Sequence, residues 1–130
     1  MSTPQKYFPT VPLILVAAGT DEIVSWVNKT GSTLRLLSAT FLPWTARTAH
    51  DTNYTDISVE LAGTEVCSEQ TTTGDTGNLV AHTAEVLALT ATGKDLELAD
   101  DGIVEFLKTD AGSGLALDGL FVLEFEAIRA

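Results

Sequence analysis

The sequence is short of the residues on which most compact catalytic sites depend. Of its 130 residues one is cysteine and two are histidine, and only 19% are charged. The single cysteine, Cys67, excludes a disulfide within the chain and a zinc site built from several cysteines. Because a nucleophilic Cys67 would need a neighbouring base, we expect a small, half-buried strand residue instead. The sequence has no Gly-rich phosphate loop and no HExxH, GxSxG or CxxC motif, and we expect a protein that is not an enzyme.

Basic side chains are also few. Seven Lys and Arg residues stand against 18 Asp and Glu residues, which gives a formal net charge of -11. Such a charge repels phosphate backbones and anionic lipid. The longest apolar stretch, residues 11–18, is well short of the roughly 20 residues that a membrane helix needs, and residues 1–10 lack the organisation of a signal peptide. We therefore expect a soluble, cytosolic protein with neither nucleic acid nor a membrane as partner.

The sequence does have a high apolar content, 45%, arranged mainly in period-two alternation. A chain of this length and composition is expected to fold as one domain, and no stretch has the apolar spacing of an amphipathic helix. Pro4 and Pro9 favour an extended N-terminal arm over residues 1–10, since proline removes a backbone donor. The remainder, residues 11–130, is predicted to form a single domain.

Turn clusters rich in Gly, Asp and Asn divide that domain into about eight to ten short strands. This spacing is typical of an all-β, antiparallel β-sandwich. The strands are expected over residues 11–18, 22–27, 33–42, 54–61, 65–69, 83–90, 95–98, 103–108 and 120–128. For residues 83–90 two helical turns are the alternative, and the flanking threonines favour the strand. Residues 70–78 contain no large apolar side chain and are expected to form an exposed, mobile loop.

Two strands have unusual apolar patterns. In residues 33–42 the apolar phase changes between Leu36 and Leu37, which predicts a β-bulge there. Residues 11–18 are apolar on both alternating faces, with Val11, Leu13 and Leu15 on one side. This pattern predicts burial on both faces, either within the domain or against another subunit. The alternative is a strand central in the sandwich, preceded by an arm that is simply frayed.

Four carboxylates near the turn at Gly102 form the best candidate for an ion site, since Ca²⁺ prefers several oxygen ligands. They are Asp95, Glu97, Asp100 and Asp101. The Asp-Asp-Gly turn is explained equally by backbone hydrogen bonding and positive φ. Whether a calcium ion sits at Asp100 and Asp101 stays open, and we predict no cofactor and no metal.

Aromatic side chains, 7% of the chain, offer a second candidate, because aromatic faces stack on sugars. The residues in question are Tyr7, Trp26, Trp44 and Tyr54. Core and interface packing is the alternative explanation for them. The two histidines, His50 and His82, lie in loop-like contexts, where a solvated or hydrogen-bonded ring is expected.

The C-terminal third of the chain has a distinct order of strands and turns. Residues 102–119 carry a strand and a Gly-Ser-Gly turn at residues 112–114, and an apolar-acidic strand follows from Phe121 to Ile128. This order resembles the end of small virion proteins of tailed bacteriophages. In those proteins the same elements close a β-sandwich. The likeness extends over residues 11–130 as a rhythm of strands and turns. It departs at Ile103 and Asp118, where such proteins often carry an acidic residue and a proline.

This resemblance implies a jelly-roll-like head decoration or auxiliary capsid protein that binds the major capsid protein and stabilises the shell. Such a protein is assembled in the host cytoplasm, ends up in the virion, and forms homo-oligomers, with trimers favoured. No catalytic residue is implied. The arm and the first apolar strand then become the expected partner interface, which comprises Tyr7, Phe8, Val11, Leu13, Ile14, Val16 and Trp44. The alternatives are a receptor- or glycan-binding domain of the tail-fibre type and a tail or neck connector.

Overall fold

The computed structural model describes residues 4–129, which form two antiparallel β-sheets. Its strands are β1 (Lys6–Tyr7), β2 (Thr10–Val16), β3 (Glu22–Val27), β4 (Thr33–Pro43), β5 (Thr55–Leu61), β6 (Thr64–Gln70), β7 (Glu85–Leu87), β8 (Glu97–Leu98), β9 (Ile103–Asp110) and β10 (Leu117–Arg129). A single 3-10 turn, Gly93–Leu96, precedes β8. The predicted all-β sandwich is confirmed. Within the described residues, no helix combines the length and the apolar character needed to cross a membrane.

The strand order is that of a jelly roll. In sheet I, β1 and β2 follow one another along one side of β10, and β7 and β8 follow one another along the outer side of β4. Sheet I therefore has four positions, β1/β2, β10, β4 and β7/β8, and sheet II has four more, in the order β3, β9, β5, β6. The pairing is nested, since β2 pairs with β10, β3 with β9, β4 with β7 and β8, and β5 with β6. A long hairpin folded over on itself in this way is a double-sheet jelly roll.

The core between the sheets is filled by side chains from alternate strand positions, because successive residues of a strand point to opposite faces. Phe121 of β10 contacts Phe41 of β4 at a ring-centroid distance of 4.9 Å and Phe106 of β9 at 4.7 Å. Trp26 of β3 stacks on Phe125 of β10 at 5.9 Å. Aromatic rings from both sheets thus meet in the centre of the sandwich.

The β-bulge predicted in residues 33–42 is confirmed. Leu36 lies opposite Phe125 and Ser38 lies opposite Glu124, so Leu37 is an extra residue in β4. Leu36 is buried, whereas Leu37 faces solvent. The bulge therefore keeps the apolar residues on both sides of it directed to the core.

A second bulge, in β2, overturns the expected alternation of residues 11–18. Leu13 and Val16 both face the core, and the two residues between them, Ile14 and Leu15, lie opposite Asp118 alone. Ile14 is 70% exposed and Leu15 63% exposed. Burial of both faces within the domain is therefore wrong, and burial against another subunit stays a prediction.

The ends and loops agree with the sequence in part. The predicted arm includes residues 1–3, which lie outside the described residues, and Lys6–Tyr7, which pair with β10. The predicted strand over residues 83–90 forms, but it is limited to Glu85–Leu87. The loop predicted at residues 70–78 is only partly exposed. Gln70 belongs to β6, Thr71 is buried, and the Asp51 carboxylate accepts a 2.8 Å hydrogen bond from the Thr73 amide.

Candidate interaction surface

No pocket is found among residues 4–129, and the features that stand out lie on the outer surface. Within the same residues, no group of three or more His, Cys, Asp or Glu side chains is arranged to hold a metal ion. The outer face of sheet I is one such feature, because part of it is apolar.

The outward side chains of β2, β10, β4 and β7 form regular rows in this part of sheet I. In one row, Leu120 of β10 lies between Pro12 of β2 and Leu42 of β4. The next row consists of Thr10, Val122, Thr40 and Val86. Ile14 follows Pro12 at the bulge and, like Val86, is about 70% exposed. The set named here the apolar patch consists of Pro12, Ile14, Leu42, Val86, Leu120 and Val122.

The other half of the same face is charged. Lys6 forms an ion pair with Glu124 at 2.9 Å, and Arg35 lies 3.9 Å from both Glu97 and Glu126. The hydrogen bond that Lys6 donates to Glu124, together with the negative charge of that carboxylate, raises the pKa of Lys6 above its usual value. Ion pairs at an exposed surface contribute little to stability. Their effect here is to set a polar boundary on one side of the apolar patch.

The predicted interface residues divide between the core and the surface. Val11, Leu13 and Val16 are 9% exposed or less and face sheet II, so assigning them to a partner interface is wrong. Phe8 and Ile14 are exposed. Val11 and Leu13 point to the core by the regular alternation of β2. Val16 also points to the core, because the bulge adds one residue between it and Leu13.

Two further interface candidates, Tyr7 and Trp44, are half-buried and lie at different ends of β10. The Trp44 amide donates a 3.1 Å hydrogen bond to the carbonyl of Asp118, which places Trp44 near the β2 bulge. Tyr7 pairs with Phe125, seven residues further along β10 and roughly 20 Å away at 3.3 Å per residue. The structure thus brings Trp44 and Ile14 to one end of sheet I and leaves Tyr7 at the other.

Sequence reasoning missed most of the apolar patch. The alternation of β10 does contain a signal, since Val122 has the outward phase that Glu124 and Glu126 share further along the strand. Leu42 becomes a neighbour of Leu120 only through the pairing of β4 with β10.

The aromatic residues do not form a platform for sugars. Trp26 is half-buried, and one face of its ring is covered by stacking on Phe125. Tyr7, Trp44 and Tyr54 are half-buried on separate elements of the fold.

The acidic turn at residues 99–102 is joined to the turn that follows β3. The Asp100 carboxylate accepts a 2.9 Å hydrogen bond from the Gly31 amide, and Asp101 forms an ion pair with Lys29. The buried Asn28 side chain donates to the carbonyl of Leu98 at 3.2 Å. These carboxylates therefore bridge two turns, as expected from the turn chemistry of Asp.

A buried ion pair at one end of the sandwich was not predicted. The Lys108 side chain, on the inner face of β9, is fully buried and lies 2.7 Å from the Asp110 carboxylate. Its ammonium also donates to the carbonyls of Thr20 at 2.7 Å and Ala17 at 3.3 Å. Asp110 in turn accepts a 2.7 Å hydrogen bond from the Thr55 hydroxyl. The three donors of the ammonium therefore all have acceptors. Since two of these acceptors belong to the β2–β3 connection and Lys108 belongs to β9, the pair joins that connection to sheet II.

Cys67 is fully buried in β6, where it had been expected to be half-buried. Burial raises the pKa of its thiol to about 12. Because the thiolate is the reactive form, we expect no reaction of the native protein with an aromatic disulfide reagent at pH 8 over minutes, and one thiol per chain after unfolding in urea. Rapid stoichiometric labelling of the native protein would contradict this placement.

Comparison with known proteins leaves the family open. No family model matches the chain, and no curated protein matches it. Among solved structures, the chain is similar to part of one described as "Structure of infectious bursal disease virus Gt strain", at 11% identity and a TM-score of 0.19. The alignment covers 98% of this chain and 42% of the other, so this chain spans less than half the length of that neighbour. At this TM-score the likeness carries no argument about fold or function.

Proposed function

We propose that this chain is a virion structural protein of tailed bacteriophages that decorates the capsid by binding the major capsid protein, without catalysis. The observation that carries the proposal is the apolar patch on the outer face of sheet I. Jelly rolls are found in viral capsid domains, and also in lectin domains and cupins, so the fold alone does not define the function. An exposed apolar area with a polar boundary is typical of a protein–protein contact.

The patch suits attachment to a repetitive shell. Its side chains project from neighbouring strands of one sheet, so a partner surface can cover them together, and apolar burial contributes about 25 cal/mol per Å². The ion pairs of the charged half, which include Glu124 and Glu126, would lie at the edge of the contact, where protein interfaces are usually polar. If the protein attaches at more than one point on the shell, even a modest affinity per contact gives firm attachment.

The copy number in purified virions tests this assignment. Quantitative mass spectrometry is expected to find this chain at a copy number comparable with that of the major capsid protein. A much lower copy number would favour a tail or neck connector instead, and absence from the virion would contradict both assignments.

Val86→Asp is expected to weaken binding to capsid shells at least about tenfold, which corresponds to 1.4 kcal/mol. The substitution places a charge in the apolar patch at a side chain that is 69% exposed, so the fold is expected to persist. Binding is measured by co-sedimentation with shells that lack the protein.

The matched control is Ile103→Asp, because Ile103 is also an exposed apolar strand residue, 47% exposed, but belongs to sheet II. This variant is expected to bind shells as the unaltered protein does. Equal binding by both variants and the unaltered protein would show that the patch is not the contact.

A further inference from the structure

Three of the four sheet edges are protected against pairing with another strand. At the β2 edge, Pro9 and Leu13 lie on the side of the strand that bonds to β10, since the Pro9 carbonyl accepts a 3.0 Å hydrogen bond from the Leu123 amide. Backbone groups alternate in an antiparallel pair, so Pro12 occupies a position whose N–H would point outward, where proline offers no donor. The β2 bulge disturbs the same edge further along.

The edges formed by β6 and by β7/β8 are protected in other ways. Beside β6, the Thr90 amide donates a 2.8 Å hydrogen bond to the Val66 carbonyl, and Leu89 forms an isolated bridge with Cys67. β7 and β8 are three and two residues long. Coverage of an edge by a neighbouring segment and a short edge strand are both common protections against pairing with another chain.

The edge strand β3 has none of these features. It pairs with β9 over all six residues in one unbroken register. Its sequence, EIVSWV, contains no proline, lysine or arginine. A regular, apolar edge strand of this kind is a template for pairing with another chain.

The orientation of the β3 backbone follows from a hydrogen bond just beyond the end of β3. The Asn28 amide donates a 2.8 Å hydrogen bond to the Gly102 carbonyl, so the even-numbered residues of β3 bond to β9. Ile23, Ser25 and Val27 therefore direct their backbone groups to the free edge. In the single chain the Ile23 amide donates a 3.1 Å hydrogen bond to the Glu22 carboxylate, an exposed contact that pairing with another strand would replace. In residues 4–129 no backbone hydrogen bond joins this edge to another strand.

We propose that β3 pairs antiparallel with β3 of a second copy of this chain, so that sheet II continues across a two-fold axis. With Ser25 opposite its own copy, Ile23 lies opposite Val27 and Val24 lies opposite Trp26. The Ser25 pair and the two Ile23–Val27 pairs, with two hydrogen bonds each, give about six backbone hydrogen bonds. Ile23 is 52% exposed and Val27 41% exposed in the single chain, and both become covered.

Charge complementarity favours a second copy as the occupant. In the same register Asp21 lies opposite Lys29 at both ends of the paired strands, and Glu22 lies opposite the neutral Asn28. Lys29 already pairs with Asp101 of its own chain, so Asp21 would join an exposed ion pair. No pair of like charges is formed along the edge. The net charge of -11 on each copy opposes association, but salt screens exposed charges beyond about 10 Å at 0.1 M, so the dimer is expected to strengthen as salt increases.

This inference does not depend on the proposed function. The contact is isologous, in which the same surface serves both copies. It gives a dimer, whereas the resemblance to phage virion proteins implies trimers.

The mass in solution tests the proposal, measured by sedimentation equilibrium over a concentration series at 0.15 M and 0.5 M NaCl. We expect association to twice the chain mass of 13.8 kDa, stronger at the higher salt concentration. Ile23→Lys is expected to weaken association at least tenfold, because a charge on an edge strand opposes pairing. Ser25→Pro is expected to do the same, because it removes an outward N–H and leaves the bonds to β9 in place.

Val80→Lys is the control, since it makes the same change of charge at an apolar side chain that is 56% exposed and belongs to neither sheet nor the apolar patch. It is expected to associate as the unaltered protein does. Thermal melting followed by circular dichroism shows whether each variant is folded, and if Ser25→Pro is not, Ile23→Lys alone carries the test. A monomer at all concentrations, a trimer, a dimer that survives Ile23→Lys, or a dimer lost in Val80→Lys would each overturn the proposal.

Discussion

Replacing Lys108 by methionine is expected to lower the free energy of unfolding by about 3–5 kcal/mol. The substitution removes the ammonium and leaves the Asp110 carboxylate, only 4% exposed, without its charged partner. It also leaves the carbonyls of Ala17 and Thr20 without the donor that they share. Urea unfolding at pH 7, followed by circular dichroism, measures the change.

The control is Lys94→Met, which removes an exposed lysine and is expected to change stability by less than about 0.5 kcal/mol. Asp110→Asn is expected to be destabilising as well. The double variant is expected to lose less than the sum of the two single losses, with a coupling of about 0.5–3 kcal/mol for groups in one network. A loss below about 1 kcal/mol for Lys108→Met would contradict the stabilising role given to this buried pair.

Phe121→Ala is expected to lower the free energy of unfolding by about 3–5 kcal/mol, the range for large aromatic residues in a core. The Phe121 ring is one of the aromatic contacts between the two sheets, 4.9 Å from the Phe41 ring on its own sheet and 4.7 Å from the Phe106 ring on the other. Truncation leaves a cavity on both sides of that contact. The same urea experiment measures the loss.

Phe8→Ala serves as the comparison, because the Phe8 side chain is 59% exposed. The free energy of unfolding of Phe8→Ala is expected to stay within about 0.5 kcal/mol of that of the unaltered protein. Similar losses for Phe8→Ala and Phe121→Ala would mean that the aromatic contact between the sheets contributes no more than a surface residue.

The two bulges show what a single sequence can and cannot reveal about this fold. In β4 the apolar phase changes from Leu36 to Leu37, and polar residues on either side make the change visible, so the bulge could be predicted. After Thr10 every residue of β2 is apolar, so no polar residue marks the change of face further along the strand. The bulge at Ile14 and Leu15 could therefore not be located before the pairing with β10 was known.

The buried lysine and the apolar patch depend on contacts between distant parts of the chain. Lys108 has the phase of Val104 and Phe106 in β9, which is a signal of burial, but its acceptors Ala17 and Thr20 come from the connection between β2 and β3. Leu42 and Leu120 likewise become neighbours only when β4 pairs with β10. Alternation predicts which face a residue occupies, whereas strand order decides what lies beside it.

The nested pairing of the strands has a consequence for synthesis. Because β10 lies between β2 and β4, neither of these early strands has its main partner until the ribosome has made residues 117–129. Folding dominated by pairings between distant parts of the chain is slow. Strands whose partner has not yet been synthesised are prone to aggregate. We therefore expect nascent chains that end before β10 to depend on chaperones, and native structure to form only after β10 has left the exit tunnel.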